Sequence, residues 1–234
     1  MDKSYEEQIK ALSKISKAIA SDLYLEDILR LIVTVTAQVM SSNICSLMLI
    51  NEKSNELVIR ATQSISEEYN KKPSLRVGEG IAGRVAKNNK PIIVADVTKE
   101  KEYKNAGIAK KEGLCSLLSV PLAVKGKVIG VLNCYTPTHH DFTETEVDIL
   151  SSIAHQAAIA IENTELIVKS KVIQEEMETR KKVERAKGIL MKEQVIDEEK
   201  AYLMLQKFCM DRRKTMREVS EAIILTWDMK RGGQ

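Results

Sequence analysis

The sequence predicts an α+β protein with three parts: an antiparallel-sheet domain, a long coiled-coil helix and a C-terminal three-helix bundle. Short runs of β-branched and apolar residues, separated by turn residues, predict the sheet. From Thr143 towards Met191 hardly any residue interrupts a helical pattern, which predicts one long helix. Beyond it, apolar residues recur at helical spacing between capping residues, which predicts two shorter helices that complete the bundle.

Composition places the chain among globular proteins, with 44% hydrophobic and 29% charged residues in 234. No apolar run approaches the roughly eighteen residues of a membrane span, and the segment 1–7 is unlike a secretory signal. We therefore expect a cytoplasmic protein without a membrane partner. The cysteines are widely spaced and form no Cys-x-x-Cys motif, so we expect buried reduced thiols and no metal site at Cys45, Cys115, Cys134 and Cys209.

The N-terminal part predicts two helices. In residues 1–22, apolar side chains at heptad-like spacing favour a helix that pairs in a dimer or bundle; they are Tyr5, Leu12, Ile15 and Ile19. A second helix is expected from about Leu25 to Met40.

The following residues predict a mostly antiparallel sheet. One hairpin is expected from Ile44–Ile50 and Leu57–Ala61, and another from Leu117–Val124 and Val128–Tyr135. A short strand is expected at Pro91–Val94.

The segment Gly78–Gly83 matches the Gly-x-Gly-x-x-Gly pattern of dinucleotide-binding sites, with Asp96 at a suitable distance. However, the preceding residues 71–77 make a poor buried strand, and Pro91 leaves room for only a short helix. We interpret the glycines as a tight turn into a short helix that packs on the sheet.

Residues 23–162 resemble a GAF domain, a small-molecule-binding sensor module. The resemblance rests on Val77–Val85, Pro91–Asp96, Leu117–Leu122, Val128–Leu132, Phe142 and Ile153–Asn163. It implies an antiparallel sheet with helices on its faces and a ligand pocket on one side, where a small molecule or a protein signal acts. The ligand remains unknown, and the general GAF layout suggests pocket residues Cys45, Leu47, Arg84, Tyr103 and Cys115.

Residues 163–179 predict a coiled-coil linker. Two core positions alternate in steps of four and three residues, which favours a parallel homodimer. Asn163 at a core position is a register device or a surface residue near the domain exit. The seam ends where Arg180 and Glu184 would be core residues, and it comprises Ile159, Asn163, Leu166, Ser170, Ile173 and Met177.

Residues 180–234 predict the bundle and carry most of the positive charge. Asp197 is a candidate N-cap, and Thr215 with Glu218 fits a capping box. The segment has fourteen Lys or Arg and nine Asp or Glu, a net charge of +5, while the rest of the chain has −2. Such a distribution suits nucleic-acid contact confined to one appendage, although a basic helical face is often merely solvated.

The motifs Arg185–Met191, Asp197–Tyr202 and Arg212–Val219 resemble the ANTAR domain of transcription antitermination regulators. Ser220 departs from the family, which more often has Ala. The resemblance implies binding to paired hairpins in nascent RNA, which prevents an overlapping terminator from forming. Tyr202 is a candidate for base stacking or a half-buried core residue, and the candidates for electrostatic contact are Lys187, Arg212, Arg213, Lys214 and Arg217.

Two alternatives stay open. In the first, the last two helices act as a DNA-binding helix-turn-helix, although the link Asp211–Lys214 lacks the usual glycine. In the second, the protein is an enzyme that resembles GAF-type methionine sulfoxide reductases and uses Cys115 and Cys134. Their strand settings favour packing, so we expect a regulator without enzymatic activity.

Overall fold

The computed structural model describes residue 13 and residues 25–42, 44–64 and 66–232, and the chain divides into two units, residues 1–164 and 165–234. The helix predicted in residues 1–22 lies outside the described residues, except for Ser13. In order, the elements are α1 Leu25–Val39, β1 Ile44–Asn51, β2 Glu56–Thr62, α2 Glu67–Asn70, β3 Leu75–Arg76, α3 Gly80–Asn88, β4 Ile92–Val94, α4 Ala106–Lys111, β5 Leu117–Val124, β6 Lys127–Tyr135, α5 Glu144–Gln194, α6 Glu198–Arg212 and α7 Met216–Gly232.

The first unit is built on a six-stranded sheet in the order β3-β2-β1-β6-β5-β4. Every neighbouring pair is antiparallel, which confirms the predicted sheet. Lys125 and Gly126 connect β5 to β6 with φ angles of 50° and 82°. Two positive φ angles are typical of a tight hairpin turn whose twist matches the flanking strands.

Successive residues of the central strands point to opposite faces of the sheet. On one face, Leu47 and Leu132 lie in a core with α1 and the beginning of α5. On the other face, Met48 and Val131 pack against α3. The sheet is therefore the middle of three layers, and the two faces bury separate sets of side chains.

The glycine-rich segment forms a turn and a short helix, as predicted. A Cβ atom at Gly83 would collide with the carbonyl oxygen of Arg76, so α3 lies against β3 only because this position has no side chain. Gly78 and Gly80 have φ angles of 93° and 63°. The strand before them, β3, has only two residues. This geometry differs from the buried strand and long helix of a dinucleotide site.

Helix α5 has 51 residues and begins with a capping box. The Thr143 amide donates to the Glu146 carboxylate at 2.8 Å, and the Glu146 amide donates to the Thr143 hydroxyl at 3.3 Å. Within the first unit, Leu150, Ala154 and Ile161 of this helix pack in the sheet core. The long helix expected from Thr143 to Met191 is confirmed.

Candidate functional site

In the second unit, helices α5, α6 and α7 are joined by two short connections whose caps the sequence predicted. The Asp197 side chain accepts a hydrogen bond from the Lys200 amide at 2.8 Å and begins α6. Arg213 ends α6 in a left-handed conformation, with a φ angle of 51°. Thr215 and Glu218 then form a capping box, with the Thr215 amide 2.8 Å from the carboxylate.

A small apolar core holds the three helices together. Its buried members, Ala186, Leu190, Ala201 and Leu205, come from α5 and α6. Residues of α7, including Val219 and Ile223, pack against them and are themselves partly buried.

Ser220 is also enclosed in the second unit. Its side chain is 0% exposed, and its hydroxyl is the one buried side-chain polar atom without a hydrogen-bond partner in the described part of the chain. A buried hydroxyl without a partner lowers the free energy of unfolding, so the bundle should be less stable with Ser220 than with alanine at this position.

Lys187 lies inside the bundle. It is 7% exposed, and its ammonium group is 2.7 Å from Glu198 and 2.9 Å from Glu184. The hydrogen bonds with these two carboxylates raise the pKa of Lys187. The ion pair with Glu198 therefore joins α5 to the start of α6.

The remaining predicted cations lie around the α6–α7 connection. Lys214 pairs with Glu218 at 2.8 Å, and the Arg217 Nε atom donates to Glu221 at 3.1 Å. Arg212 and Arg213 are exposed and have no ion-pair partner among the described residues. Two guanidinium groups at this connection are thus available to an external anion.

Tyr202 is 42% exposed and lines a cavity of about 550 Å³ between α5 and the starts of α6 and α7. Arg180 and Arg217 also line it, and so do Glu175, Glu176 and Glu184. Arg180 marks the predicted end of the coiled-coil seam and was not among the predicted RNA contacts. Three glutamates make the cavity a poor site for a phosphate backbone, while its exposed aromatic ring remains available for stacking.

The side of the sheet that faces α2, α3 and α4 contains three tyrosines. The rings of Tyr69 and Tyr103 meet the Tyr135 ring edge-on, with centroids 6.4 Å and 6.5 Å away. The Tyr69 hydroxyl donates to Ser46 at 3.1 Å, and the Tyr103 hydroxyl donates to Tyr135 at 3.2 Å. Burial raises the pKa of all three phenols. The protein's own aromatic rings therefore occupy this interior.

The five predicted pocket residues do not line one cavity. Cys45 and Leu47 point to the opposite face of the sheet and pack with α1 and α5. Tyr103 belongs to the tyrosine cluster, and the Cys115 thiol is 3.8 Å from the Ala95 carbonyl oxygen. The period of a strand reveals that there are two faces, but not which face holds the pocket.

Arg84 lines a separate basic cavity of about 760 Å³ beside the start of α3. Four other cations line the same cavity, and none was singled out from the sequence: Arg76, Lys87, Lys101 and Lys104. They come from β3, α3 and the segment before α4, which are separated by up to 28 positions along the chain. No local motif signals such a cluster.

The predicted coiled-coil positions lie on the surface of α5, apart from the first. Ile159 packs against the sheet core of the first unit. Leu166, Ile173 and Met177 are 52%, 56% and 57% exposed, which is unusual for apolar side chains, and Asn163 and Ser170 are exposed beside them.

Within the described residues, no helix is both long and apolar enough to cross a membrane.

Comparison with known proteins identifies both parts of the chain. A GAF-domain family model matches residues 23–162, and an ANTAR-domain model matches residues 171–224. The transcriptional regulatory protein PdtaR of Mycobacterium tuberculosis is 44% identical over 54 residues, which is 23% of this chain and 26% of that protein. The Nif-specific regulatory protein of Azospirillum brasilense is 29% identical over 128 residues, covering 53% of this chain and 20% of that protein.

Similar structures were found for the first unit. The GAF domain of a Coxiella burnetii phosphoenolpyruvate-protein phosphotransferase is 25% identical with a TM-score of 0.64, covering 72% of this chain and 99% of that domain. The free methionine-R-sulfoxide reductase of Neisseria meningitidis has a TM-score of 0.60 at 22% identity, covering 71% of this chain and 95% of that enzyme; this likeness shows the fold alone.

The chain spans only 20% to 26% of the length of the two curated relatives described above. The family assignment therefore rests on the domain matches. The GAF model alone covers more than half of the chain, and the ANTAR match begins after it ends. The chain belongs to the GAF-domain family and carries an ANTAR domain after its GAF domain.

Proposed function

We propose that the protein is a dimeric, signal-responsive antiterminator that binds paired hairpins in nascent RNA and has no enzymatic activity. The observation that supports RNA binding most directly is the pair Arg212 and Arg213, two exposed guanidinium groups that have no ion-pair partner in the part of the chain that the structure describes, in a segment of net charge +5. Guanidinium groups bind phosphates through two parallel hydrogen bonds, so this connection is the proposed contact with the RNA backbone.

The other candidate residues take different parts in this proposal. Lys214, in the α6–α7 connection, and Arg217, in α7, are each paired with a glutamate of α7. They contribute to the positive electrostatic potential of this surface and also stabilise the start of α7. Tyr202 is the candidate for stacking with an unpaired base. Lys187 acts indirectly, because its ion pair with Glu198 fixes the start of α6 against α5.

The RNA hypothesis is tested by gel-shift titration of the full-length protein with tandem hairpins, a single hairpin and duplex DNA. We expect a preference for the tandem hairpins. The double variant Arg212→Gln/Arg213→Gln should lower this affinity and reduce the slope of log affinity against log salt by about 2.

A control double variant, Lys53→Gln/Lys90→Gln, removes the same charge from exposed positions of the sensor domain and should leave RNA binding unchanged. Equal affinity of both double variants for RNA would contradict the assigned surface. Preferential binding of duplex DNA would instead favour a DNA-binding transcription factor.

We propose that the homodimer forms through the exposed seam of α5. Apolar side chains in water are stabilised by burial against an equivalent helix, at about 25 cal/mol for each Å² removed from solvent. Ile173→Asp should therefore shift the protein towards monomer in sedimentation velocity. Val168, which is 56% exposed on the side of the helix away from the seam, offers the matched variant Val168→Asp. Equal effects of the two substitutions would argue against this seam.

A further inference from the structure

We propose that the sensor domain binds a small anionic metabolite with two or more negative charges, carried by phosphate or carboxylate groups, in the basic cavity beside α3. The inference rests on the proposed role of the GAF domain as the signal input, and it names the chemical class of the signal. It differs from the pocket expected from the sequence, because the interior of that side of the sheet is filled by Tyr69, Tyr103 and Tyr135.

The cavity has a net positive charge. Five cations and two glutamates, Glu79 and Glu102, line about 760 Å³, which gives a local net charge of +3. Residues 1–164, which form the sensor unit, carry a net charge of zero as a whole. A concave cationic site on a neutral domain concentrates field lines and attracts anions of matching size.

Two of the five cations form ion pairs with the two glutamates of the cavity. Arg84 forms an ion pair with Glu102, and Lys104 lies 3.5 Å from Glu79. These two pairs connect α3 and the turn before it to the segment 101–104. Of the other cations, Arg76, Lys87 and Lys101 have no ion-pair partner in the ranges that the structure describes. A bound multivalent anion would supply the missing countercharge.

The position of the segment 101–104 links the cavity to the tyrosine cluster. Lys101, Glu102 and Lys104 line the cavity, while Tyr103 between them reaches Tyr135 at the end of β6. Cys134, the neighbour of Tyr135, points to the other face of the sheet and packs in the core that α1 and α5 share. An anion that draws the lysines towards α3 therefore acts on a segment with direct packing into the sheet.

The test is isothermal titration of the full-length protein with pyrophosphate and with citrate, at a constant ionic strength of about 0.15 M. We expect saturable binding of one or both to the wild-type chain. Lys87→Gln/Lys101→Gln removes two unpaired cations and should weaken it about tenfold or more, since charge-assisted hydrogen bonds to an anion are strong. Both side chains are exposed, so folding should be unaffected.

Two control variants test whether the anions bind in this cavity and not elsewhere on the protein. Lys53→Gln/Lys90→Gln removes the same charge outside the cavity and should bind the anions as the wild type does. Arg212→Gln/Arg213→Gln should also retain binding, which excludes capture of the anions by the proposed RNA surface. Absence of saturable binding, or equal weakening in the cavity variant and the Lys53/Lys90 control, would overturn the inference.

The result is independent of the RNA experiment. If the protein binds anions with this dependence but shows no preference for tandem hairpins, the anion site stands and the antiterminator proposal fails. If it binds tandem hairpins but neither anion, the antiterminator proposal stands and the anion site fails.

Discussion

The two units of this protein are stabilised in different ways. The sensor unit buries two faces of a six-stranded sheet under helices, whereas the described part of the bundle has a core cluster of only four buried apolar residues. The bundle compensates with ion pairs between its helices, which include Lys182–Glu221, Arg185–Asp228, Lys187–Glu198 and Lys230–Glu193. Partly exposed ion pairs each contribute about 1 kcal/mol or less and are weakened by salt.

The two units therefore differ in what stabilises their folded state. The sensor is a rigid scaffold, because most of its free energy of folding comes from apolar burial. The smaller apolar core of the bundle predicts that it is the less stable unit, so any partner that binds its folded form would contribute a larger share of its stability. The following substitutions test this difference.

The largest effect is expected from Leu205→Ala, which opens a cavity in the small core of the bundle. A leucine-to-alanine change in a core costs about 2–5 kcal/mol, enough to unfold the bundle while the sensor remains folded. Hydrogen exchange resolved by residue should show loss of protection in α6, α7 and the end of α5 that packs with them, but not in the sensor unit. Leu203→Ala is the control, since Leu203 is exposed on the same helix. Simultaneous loss of protection in both units would mean that they unfold as one.

A smaller effect is expected from Tyr69→Phe in the sensor. The substitution removes the hydroxyl that donates to Ser46, and the free energy of unfolding should fall by about 1–2 kcal/mol in urea titration. Tyr202→Phe changes an exposed ring in the bundle and should leave the stability unchanged. If Tyr69→Phe had no effect, the tyrosine cluster would not be a fixed part of the scaffold.

Ser220→Ala should stabilise the bundle by about 1 kcal/mol, because it removes a buried hydroxyl that has no partner. Alanine is also the better helix former. The matched change Ser152→Ala, at an exposed position of α5, isolates this helix-propensity contribution. A loss of stability at Ser220→Ala would show that the hydroxyl has a partner in the native protein.

The smallest effect is expected for the pH dependence of stability that Glu218 causes. Hydrogen bonds from the Lys214 ammonium group and from Thr215 lower the pKa of Glu218 from 4.5 to about 2. Because the folded pKa is the lower one, this stabilisation is complete above pH 4.5 and is lost as the pH falls through about 2. The stability difference between the wild type and Glu218→Gln should therefore shrink within this window.

Lys214→Gln should narrow that pH window, because it removes the main cause of the lowered pKa. Thermal unfolding of the three proteins from acidic to neutral pH measures the effect. A stability difference that does not change with pH would show that Glu218 acts only as a neutral cap.

Local features of the fold were predictable from the sequence, because caps, turns and strand periods involve neighbouring residues. Asp197, the Thr215–Glu218 box and both hairpins are of this kind. The sites were harder to predict, since they depend on which side chains meet in three dimensions. A count of cations did not distinguish the buried, paired Lys187 from the exposed Arg213. Similarly, the strand pattern did not show that Cys45 and Tyr103 lie on opposite faces of the sheet.

The aromatic residues give each unit its own optical signal. Trp227, the only tryptophan in the chain, lies in α7 with the Arg231 guanidinium 5.4 Å from the centre of its ring. The tyrosine cluster lies in the sensor, among strands β1 and β6. Emission excited at the tryptophan band therefore follows the three-helix bundle, while near-ultraviolet circular dichroism of the buried phenols follows the sensor. One unlabelled sample thus allows the arrival of a signal and the response of the output domain to be observed separately.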